Sequence, residues 1–362
     1  MHLALDASLW DEPTTGIALV TRELFHALVR QGVSAERWGA RHSGEAPRRA
    51  RSRTRWALTE LSTLLETRRP DVFHAFGNFN LPLAVRGPTA CGLSVHDVIP
   101  LTSPAAVSAP FRWQFRLWLS RSAHVARAVV CPTEATRSAL LRRFPLEPAK
   151  VHVVPHGADH VLRGGALDDT SRAWLDALHL REHFVLYAGA LEARKNVELV
   201  VRACQALHGG GRALTLVLAG QRWFGAGPAQ QAIDEARAHG LDVRTLGYVA
   251  EPVLHELMRR AGVFVFPSHD EGFGLPPLEA MRLGTATVVS DIPALREVVG
   301  DGALAVPPTE PLTLAAALDR LLGSSSERRA LAARGLARAS TFTWDAAARA
   351  MHAVWQSIAD ER

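Results

Sequence analysis

Two glutamates flank a glycine- and proline-rich turn in the second half of the chain. Glu271 precedes the turn Gly272–Pro277, and Glu279 follows it. The two oxygens of a carboxylate can accept paired hydrogen bonds from neighbouring hydroxyl groups, such as those of a sugar ring or a ribose diol. The two glutamates therefore predict a binding site for a ligand that is rich in hydroxyl groups.

The turn itself predicts an anion site. Gly272 and Gly274 permit tight backbone turns, and Pro276 or Pro277 fits the first position of a helix. A helix start presents unpaired N–H groups and the positive end of the helix dipole, which attract a phosphate. The same dipole favours Glu279 in the first turn without any ligand, so a structural role for Glu279 is an alternative. Carboxylates on both sides of a phosphate-binding turn suit a nucleotide sugar.

The rest of the chain must position this turn, and it alternates short apolar runs with segments of helical length. The first half has predicted strands at Leu3–Asp6, Val72–His74, Gly92–Val95, Ala128–Cys131 and Val151–Val154, and predicted helices at Ile17–Arg30 and Phe111–Ala126. The second half has predicted strands at Phe184–Ala188, Leu214–Ala219, Val243–Leu246, Val263–Phe266 and Thr287–Ser290. Such alternation predicts an α/β fold with doubly wound, Rossmann-like parallel sheets. Ligands bind at the carboxyl ends of such strands.

Length and composition predict two soluble domains. The chain has 362 residues, of which 48% are hydrophobic and 21% charged. The turn Pro155–Asp159 marks a hinge, which gives an N-terminal domain of residues 1–158 and a C-terminal domain of residues 159–340. A secretory signal and an apolar membrane span are both lacking, so a cytoplasmic location is expected.

The cysteine and aspartate patterns indicate neither a disulfide nor a metal site. Cys91, Cys131 and Cys204 are scattered without metal-ligand spacing. Enzymes that bind nucleotide sugars through a metal commonly carry Asp-x-Asp, and no two aspartates of this chain stand two positions apart. We therefore expect no metal requirement.

Positive charge is concentrated in one segment, although the net charge of the chain is only +5. Seven arginines face the single acid Glu45 there: Arg37, Arg41, Arg48, Arg49, Arg51, Arg53 and Arg55. The segment reads as a flexible basic loop that leads into an amphipathic helix at 56–65. It is either a solvated loop or a patch for anionic lipid headgroups, worth about 1 kcal/mol per basic residue near a membrane. Nucleic acid is disfavoured because the signatures of the common nucleic-acid modules are missing.

A second basic segment, Phe111–Arg121, places aromatic and basic residues at helical spacing. Burial of one helix face explains the pattern by itself. The alternative is that Arg112, Arg116 and their aromatic neighbours contact a lipid-linked acceptor at the membrane surface.

The stretch Pro267–Met281, with seven residues between its glutamates, resembles the signature of retaining family-4 glycosyltransferases of the GT-B fold. Other matching pieces are the basic phosphate loop Tyr187–Asn196, the base-contacting turn Leu246–Val249, the interdomain crossing Val151–Gly157, and the stretches Gly284–Pro293 and Glu297–Gly300. In this fold a final helix, here within residues 341–362, packs back toward the N-terminal domain.

The resemblance implies roles for individual residues of the C-terminal domain. Glu279 would hold the ribose hydroxyls. Glu271 would hold the donor sugar and phosphates together with the backbone of Gly272, Phe273, Gly274 and Leu275. The nucleotide base would contact Gly247, Tyr248 and Val249.

Arg194 and Lys195 would neutralise the departing diphosphate. A leaving nucleoside diphosphate gathers negative charge in the transition state, and preorganised cations stabilise that charge. Cations at the start of a helix that begins at Asn196 would oppose its dipole, which favours a ligand role over a structural one. The chain departs from many family members at Ala190, which stands where they carry an arginine, so Arg194 would supply both contacts.

The N-terminal domain would supply the acceptor side. Gly16 matches the family's glycine loop that faces the donor phosphates and the acceptor, and His96 matches an active-site histidine that contacts the donor sugar. A lone histidine beside a strand is otherwise a structural residue. No carboxylate in this domain stands out as a nucleophile, which fits front-face retention with the leaving phosphate helping to deprotonate the acceptor.

The expected activity is transfer of a hexose from a nucleoside-diphosphate sugar to an acceptor hydroxyl, without a cofactor. Arg194–Asn196 and His74–Pro82 resemble bacterial mannosyltransferases of surface-polysaccharide assembly, which favours GDP-mannose over UDP-linked or other hexose donors. A dinucleotide oxidoreductase is disfavoured because Leu5–Pro13 lacks the glycine fingerprint. A catalytically silent subunit on the same fold is the second alternative.

Overall fold

The computed structural model describes residues 1–11, 15–39, 56–57, 60–78, 81–82, 85, 87–103, 107–165, 167–222 and 225–360. The chain divides into two compact units. The first contains Met1–Gly157 and Thr343–Arg362, and the second contains Ala158–Phe342. Each unit is built on one parallel sheet, so the predicted α/β architecture is confirmed.

The first unit holds a six-stranded sheet in the order β2-β1-β3-β4-β5-β6. Its strands are β1 (Leu3–Asp6), β2 (Ala35–Trp38), β3 (Val72–Ala75), β4 (Ala90–Ser94), β5 (Ala128–Cys131) and β6 (Val151–Val153). Its helices up to the crossing are α1 (Gly16–Arg30), α2 (Leu61–Arg68), α3 (Ile99–Thr102), α4 (Ala109–Val125) and α5 (Glu134–Leu141).

The second unit holds a six-stranded sheet in the order β12-β11-β10-β7-β8-β9. Its strands are β7 (Val185–Ala188), β8 (Thr215–Ala219), β9 (Asp242–Gly247), β10 (Val263–Phe266), β11 (Thr287–Ser290) and β12 (Leu304–Val306). Its helices are α6 (Asp169–Ala177), α7 (Val197–Gly209), α8 (Gly227–Ala238), α9 (Glu251–Arg260), α10 (Leu275–Arg282), α11 (Pro293–Val299), α12 (Pro311–Gly323) and α13 (Ser325–Ala339).

The inner strands are mostly apolar and fully buried, as expected for sheets that helices cover on both faces. The sequence pattern missed β2 and β12, which are the outermost strands of their sheets. β2 is mostly exposed and charged, and β12 has three residues, so neither shows a continuous apolar run. Arg37, expected in a flexible loop, lies in β2, where its guanidinium carbon stands 4.5 Å from the ring centre of Trp10.

The last helix, α14 (Trp344–Asp360), belongs to the first unit and packs on α1. Arg30 of α1 forms an ion pair of 2.7 Å with Asp345. Trp355 is completely buried, and its indole Nε1 donates to Nδ1 of His74 over 3.1 Å. The predicted return of the final helix to the N-terminal domain is therefore confirmed.

Gly262 tests the packing at the start of β10, the strand that leads to Glu271. A Cβ atom at this position would lie 2.6 Å from Cβ and 2.7 Å from the backbone oxygen of His183. We expect Gly262→Ala to lower the free energy of unfolding by about 1–3 kcal/mol, because the backbone must shift to relieve the overlap. Denaturant unfolding measures the loss.

Gly209→Ala is the matched control in the same unit, since a Cβ there meets nothing within 4 Å. We expect that change to stay within about 1 kcal/mol. Equal losses of unfolding free energy in both variants would contradict the close packing of Gly262 against His183.

Candidate functional site

The site lies where the order of strands in the second sheet reverses. From β7 the chain builds β8 and β9 on one side and then places β10 on the other side of β7. All pairings are parallel, so the loops after β7 and β10 leave the same edge of the sheet side by side. Such a switch point is the usual ligand site of an open parallel sheet.

The loop after β7 presents the two predicted cations. Arg194 and Lys195 end a 3₁₀ turn, Ala193–Lys195, directly before α7. The sequence predicts a helix start at Asn196, but α7 begins one residue later, at Val197. Asn196 itself adopts a left-handed backbone with φ 54° and stands at the N-cap position of the helix. Its side-chain amide donates to the carbonyl oxygens of Pro267 (3.1 Å) and Pro308 (2.8 Å), which fixes the turn against the segments that follow β10 and β12.

Glu271 receives both cations. Its Oε1 lies 2.6 Å from Nζ of Lys195 and 2.8 Å from Nη1 of Arg194. Arg194 also donates to the backbone oxygen of Asp270 over 2.9 Å and to Glu192 over 2.5 Å. The side chains of Lys195 and Glu271 are only 12% and 10% exposed, so this ion pair is largely withdrawn from water. Lys195 further stands 4.5 Å from the ring centre of Phe266.

The ionisation of these groups follows from burial and mutual attraction. Burial alone would raise the pKa of Glu271, but the charges of Lys195 and Arg194 outweigh it and hold that pKa below its ordinary value. Burial lowers the pKa of Lys195, and Glu271 opposes the shift. Two carboxylates, Glu192 and Glu271, thus hold two cations in fixed positions at the strand ends, an arrangement suited to electrostatic stabilisation of an anion.

The glycine turn after Glu271 is held by close packing. Gly274 has φ 94°, in the left-handed region, and a Cβ there would clash with Leu295. The helix α10 begins at Leu275, one residue before the expected start at a proline, and Pro276 takes its second position. Phe273 is 5% exposed and meets Phe342 edge to face at 6.1 Å. Backbone groups of Gly272–Leu275 and the start of α10 therefore lie next to the charged cluster.

Glu279 lies in the buried face of α10 and is 7% exposed. Its Oε1 is 3.2 Å from Nε2 of His160, and the His160 ring meets that of His255 at 6.2 Å. Burial lowers the pKa of His255 to about 4. Sequence reasoning missed His160, because its distance along the chain from Glu279 gives no local signal. It also assigned no role to Glu192, although Glu192 lies in the predicted phosphate loop Tyr187–Asn196.

The predicted base-contacting turn ends β9. Gly247 has φ 67°, and its carbonyl oxygen accepts from the backbone N–H of Gly220 over 2.7 Å. Tyr248 is 51% exposed and Val249 is partly buried. Gly220 itself follows β8 and approaches the backbone of Gly189 so closely that no side chain fits between them. These glycines bring the loops after three strands close to the edge that carries Glu271.

The two site residues predicted in the first unit, Gly16 and His96, lie in different surroundings. Gly16 begins α1, whose start is capped by the hydroxyl of Thr15 accepting from the N–H of Ala18 at 3.2 Å. His96 follows β4, and its Nε2 donates to the backbone oxygen of Phe76 over 2.8 Å. Burial lowers the pKa of His96 to about 4, so the ring is neutral near pH 7. The ring of His156 lies 5.5 Å away.

Several other expectations concern surfaces and ligands. Arg41, Arg48, Arg49, Arg51, Arg53 and Arg55 lie outside the described residues.

The three cysteines are buried, and burial raises the pKa of Cys91 and Cys204 to about 12. In the described ranges, no cluster of three or more histidine, cysteine, aspartate or glutamate side chains could hold a metal ion. Nor does any described helix have the length and apolar character to cross a membrane.

Comparison with known proteins decides the family. Residues 14–162 match the model described as Glycosyltransferase Family 4, and residues 176–338 match Glycosyl transferases group 1. O-antigen chain mannosyltransferase B of Escherichia coli is 30% identical over 301 residues, which cover 81% of this chain and 74% of that protein. The chain belongs to glycosyltransferase family 4. Another relative, D-inositol 3-phosphate glycosyltransferase of Kineococcus radiotolerans, is 33% identical over 66% of this chain and 58% of its own length.

Solved structures agree on the fold of this family-4 chain. Sucrose-phosphate synthase from Thermosynechococcus elongatus superposes with a TM-score of 0.77 at 20% identity and covers 100% of both chains. Anabaena HepE in complex with UDP and glucose gives a TM-score of 0.70 at 17% identity, covering 100% of this chain and 99% of that one. The chain is a glycosyltransferase of the GT-B type, and the expectation drawn from its motifs is confirmed at this level.

The buried ion pair can be tested by a double-mutant cycle on Lys195→Met and Glu271→Leu. Glu271→Leu leaves Lys195 buried without its carboxylate partner, so we expect it to cost about 3–5 kcal/mol of unfolding free energy. Lys195→Met leaves Glu271 paired with Arg194, so we expect a smaller cost of about 1–3 kcal/mol. The double variant should be more stable than the sum of the two losses predicts, with a coupling of about 1–3 kcal/mol. Denaturant unfolding of all four proteins measures this.

The exposed pair Glu198 and Arg202, at 2.7 Å in the same unit, is the matched control. Its coupling should be about 0.5 kcal/mol, since water screens it. A coupling at Lys195 and Glu271 that is no larger than the control would contradict the buried geometry.

Proposed function

We propose that this glycosyltransferase transfers a hexose from a nucleoside-diphosphate sugar to an acceptor hydroxyl with retained anomeric configuration and without a metal. The observation that carries the proposal is the cluster of Arg194, Lys195 and Glu271 at the switch point of the second sheet, next to the glycine turn before α10. It combines fixed cations for a diphosphate with a carboxylate for sugar hydroxyls.

The proposed role of each residue follows from its charge and from the groups that lie beside it. Arg194 and Lys195 would stabilise the negative charge that develops on the departing diphosphate, because they are already oriented by Glu192 and Glu271. The backbone N–H groups at the start of α10 would add hydrogen bonds to phosphate oxygens. Glu279 would accept the ribose hydroxyls, with His160 holding its carboxylate. Gly247, Tyr248 and Val249 would contact the base.

In the first unit, His96 would contact the donor sugar. Its Nε2–H is committed to the backbone oxygen of Phe76, so a hydroxyl would meet the lone pair of Nδ1. A neutral ring suits a hydrogen-bond acceptor better than a proton donor. The acceptor hydroxyl would then lose its proton to the leaving phosphate, as front-face retention requires.

Mannose from GDP-mannose is the favoured donor group. The relative that supports it is O-antigen chain mannosyltransferase B of Escherichia coli, and the serotype-specific mannosyltransferase WbdA is 33% identical over 47% of this chain. UDP-linked and other hexoses are the alternative, as is the role of a silent subunit. The acceptor would belong to bacterial polysaccharide or glycolipid assembly.

The first experiment is thermal stabilisation of the full chain by GDP, UDP, ADP, dTDP and their sugars, with EDTA present. A ligand at 100 times its dissociation constant adds about 2.7 kcal/mol of stability, so the donor class that binds should raise the melting temperature by several degrees. A shift with GDP and GDP-mannose alone supports the favoured donor. A shift that appears only when a divalent metal replaces EDTA contradicts metal independence.

Lys195→Ala tests the catalytic role. We expect turnover of the donor to fall by about 100- to 1000-fold, because a preorganised cation is lost from the leaving group. Arg202→Ala, on the exposed side of α7, is the control and should keep parental activity. Circular dichroism must show both variants folded at the assay temperature. The site assignment is wrong if folded Lys195→Ala matches the parent, and donor binding without turnover in the parent supports a silent subunit.

A further inference from the structure

A cavity in the first unit is walled by arginines. It has a volume of about 460 Å³ and lies between α4, which supplies Arg112 and Arg116, and the end of α5, which is followed by Arg142 and Arg143. Every charged residue that lines it in the described part of the chain is an arginine. The positive charges line one open cavity, which focuses their potential on whatever enters it.

The helix dipoles account for only half of these arginines. Arg142 and Arg143 stand at the C-terminal end of α5, where a cation is favoured, and one N–H of Arg143 is used by the backbone oxygen of Ala139 at 3.2 Å. Arg112 is the fourth residue of α4, and the first turn of that helix contains no acid. A cation in the first turn of a helix is disfavoured by the dipole, so Arg112 opposes the local field, and Arg116 lies beyond the first turn and gains nothing from it. A bound anion would remove this cost.

Apolar side chains share the same surface. Trp113 lines the cavity with 72% of its surface exposed, and Leu117, one helical turn further along α4, is 69% exposed. Phe144 also lines the cavity and is 4% exposed. A small inorganic anion would engage the arginines but would leave the indole and the leucine in water. An indole beside arginines is typical of a protein surface at the boundary between lipid headgroups and acyl chains.

We infer that this cavity binds the phosphate of an anionic lipid headgroup at a membrane surface. Arginine forks bind phosphate oxygens in pairs, and four of them surround the cavity. Trp113 and Leu117 then enter the interfacial layer beside the headgroup. The site lies in the unit that contains α1 to α5 and uses none of the residues assigned to the donor, so it does not depend on the proposed function.

The test is partition of the full chain onto vesicles of phosphatidylcholine alone and of phosphatidylcholine mixed with phosphatidylglycerol. We expect binding only to the anionic vesicles. Replacing Arg116 and Arg142, as R116Q with R142Q, should weaken that binding by roughly thirtyfold, since each basic residue near an anionic surface contributes a factor of about five. Trp113→Ala should weaken it by about tenfold through lost interfacial burial.

The matched control is Arg68→Gln with Arg349→Gln. Both arginines are exposed, lie in the same unit outside the cavity, and change the net charge equally. The control pair should bind anionic vesicles within about threefold of the parent. An equal loss in both pairs would overturn the inference, because it would show attraction to overall charge rather than to the cavity.

Inorganic phosphate separates a headgroup site from a site for a soluble phosphate. If phosphate displaces the chain from vesicles at low concentration and Trp113→Ala binds vesicles like the parent, the headgroup assignment is wrong. Nucleotide stabilisation of the same variants should equal that of the parent. A chain that binds anionic vesicles but no nucleotide would keep this site and lose the proposed transfer activity, so the two failures are distinguishable.

Discussion

A buried carboxylate placed between two cations is the constraint on which the candidate site depends. Glu271 is 10% exposed and sits within 2.8 Å of both Lys195 and Arg194. A carboxylate removed from water is costly unless its charge is matched and its oxygens are hydrogen-bonded. The loops after β7 and β10 must therefore keep their relative position, and Asn196 secures it through its bond to Pro267.

The same requirement explains why glycines and unusual backbone conformations gather at this edge. Gly220 approaches the backbone of Gly189, and Gly274 turns the chain beside Leu295 in the left-handed region. Any side chain at these positions would separate loops that have to touch. The strain is small for glycine and large for other residues, so these loops can lie close together at the ends of the apolar strands.

The two units use buried polar groups in different ways. The second unit matches charge with charge at Glu271, where Lys195 and Arg194 meet the carboxylate. The first unit keeps its buried histidines neutral: burial lowers the pKa of His74 to about 3 and that of His96 to about 4. His74 is held between Ser94 and Trp355, which ties α14 to the sheet of the first unit. Neutral rings in fixed tautomers provide direction for hydrogen bonds without the cost of a buried charge.

The sequence by itself determined the inner strands, the two-sheet architecture, the glycosyltransferase family and the position of the turn between Glu271 and Glu279. These follow from short apolar runs, from segments of helical length and from short motifs, which are local properties of the chain. The edge strands β2 and β12 were not predicted because they are not buried on both faces, and burial on both faces is what produces a continuous apolar run.

Only the tertiary structure decided which residues meet. Lys195 reaches Glu271 because β7 pairs with β10, a strand that lies far from it in the sequence. His160 and Glu279 are likewise far apart in the sequence and meet only in the folded chain. The arginine cavity likewise joins the first half of one helix to the end of another. Strand order and helix packing are set by long-range burial of apolar surface, which no local pattern records.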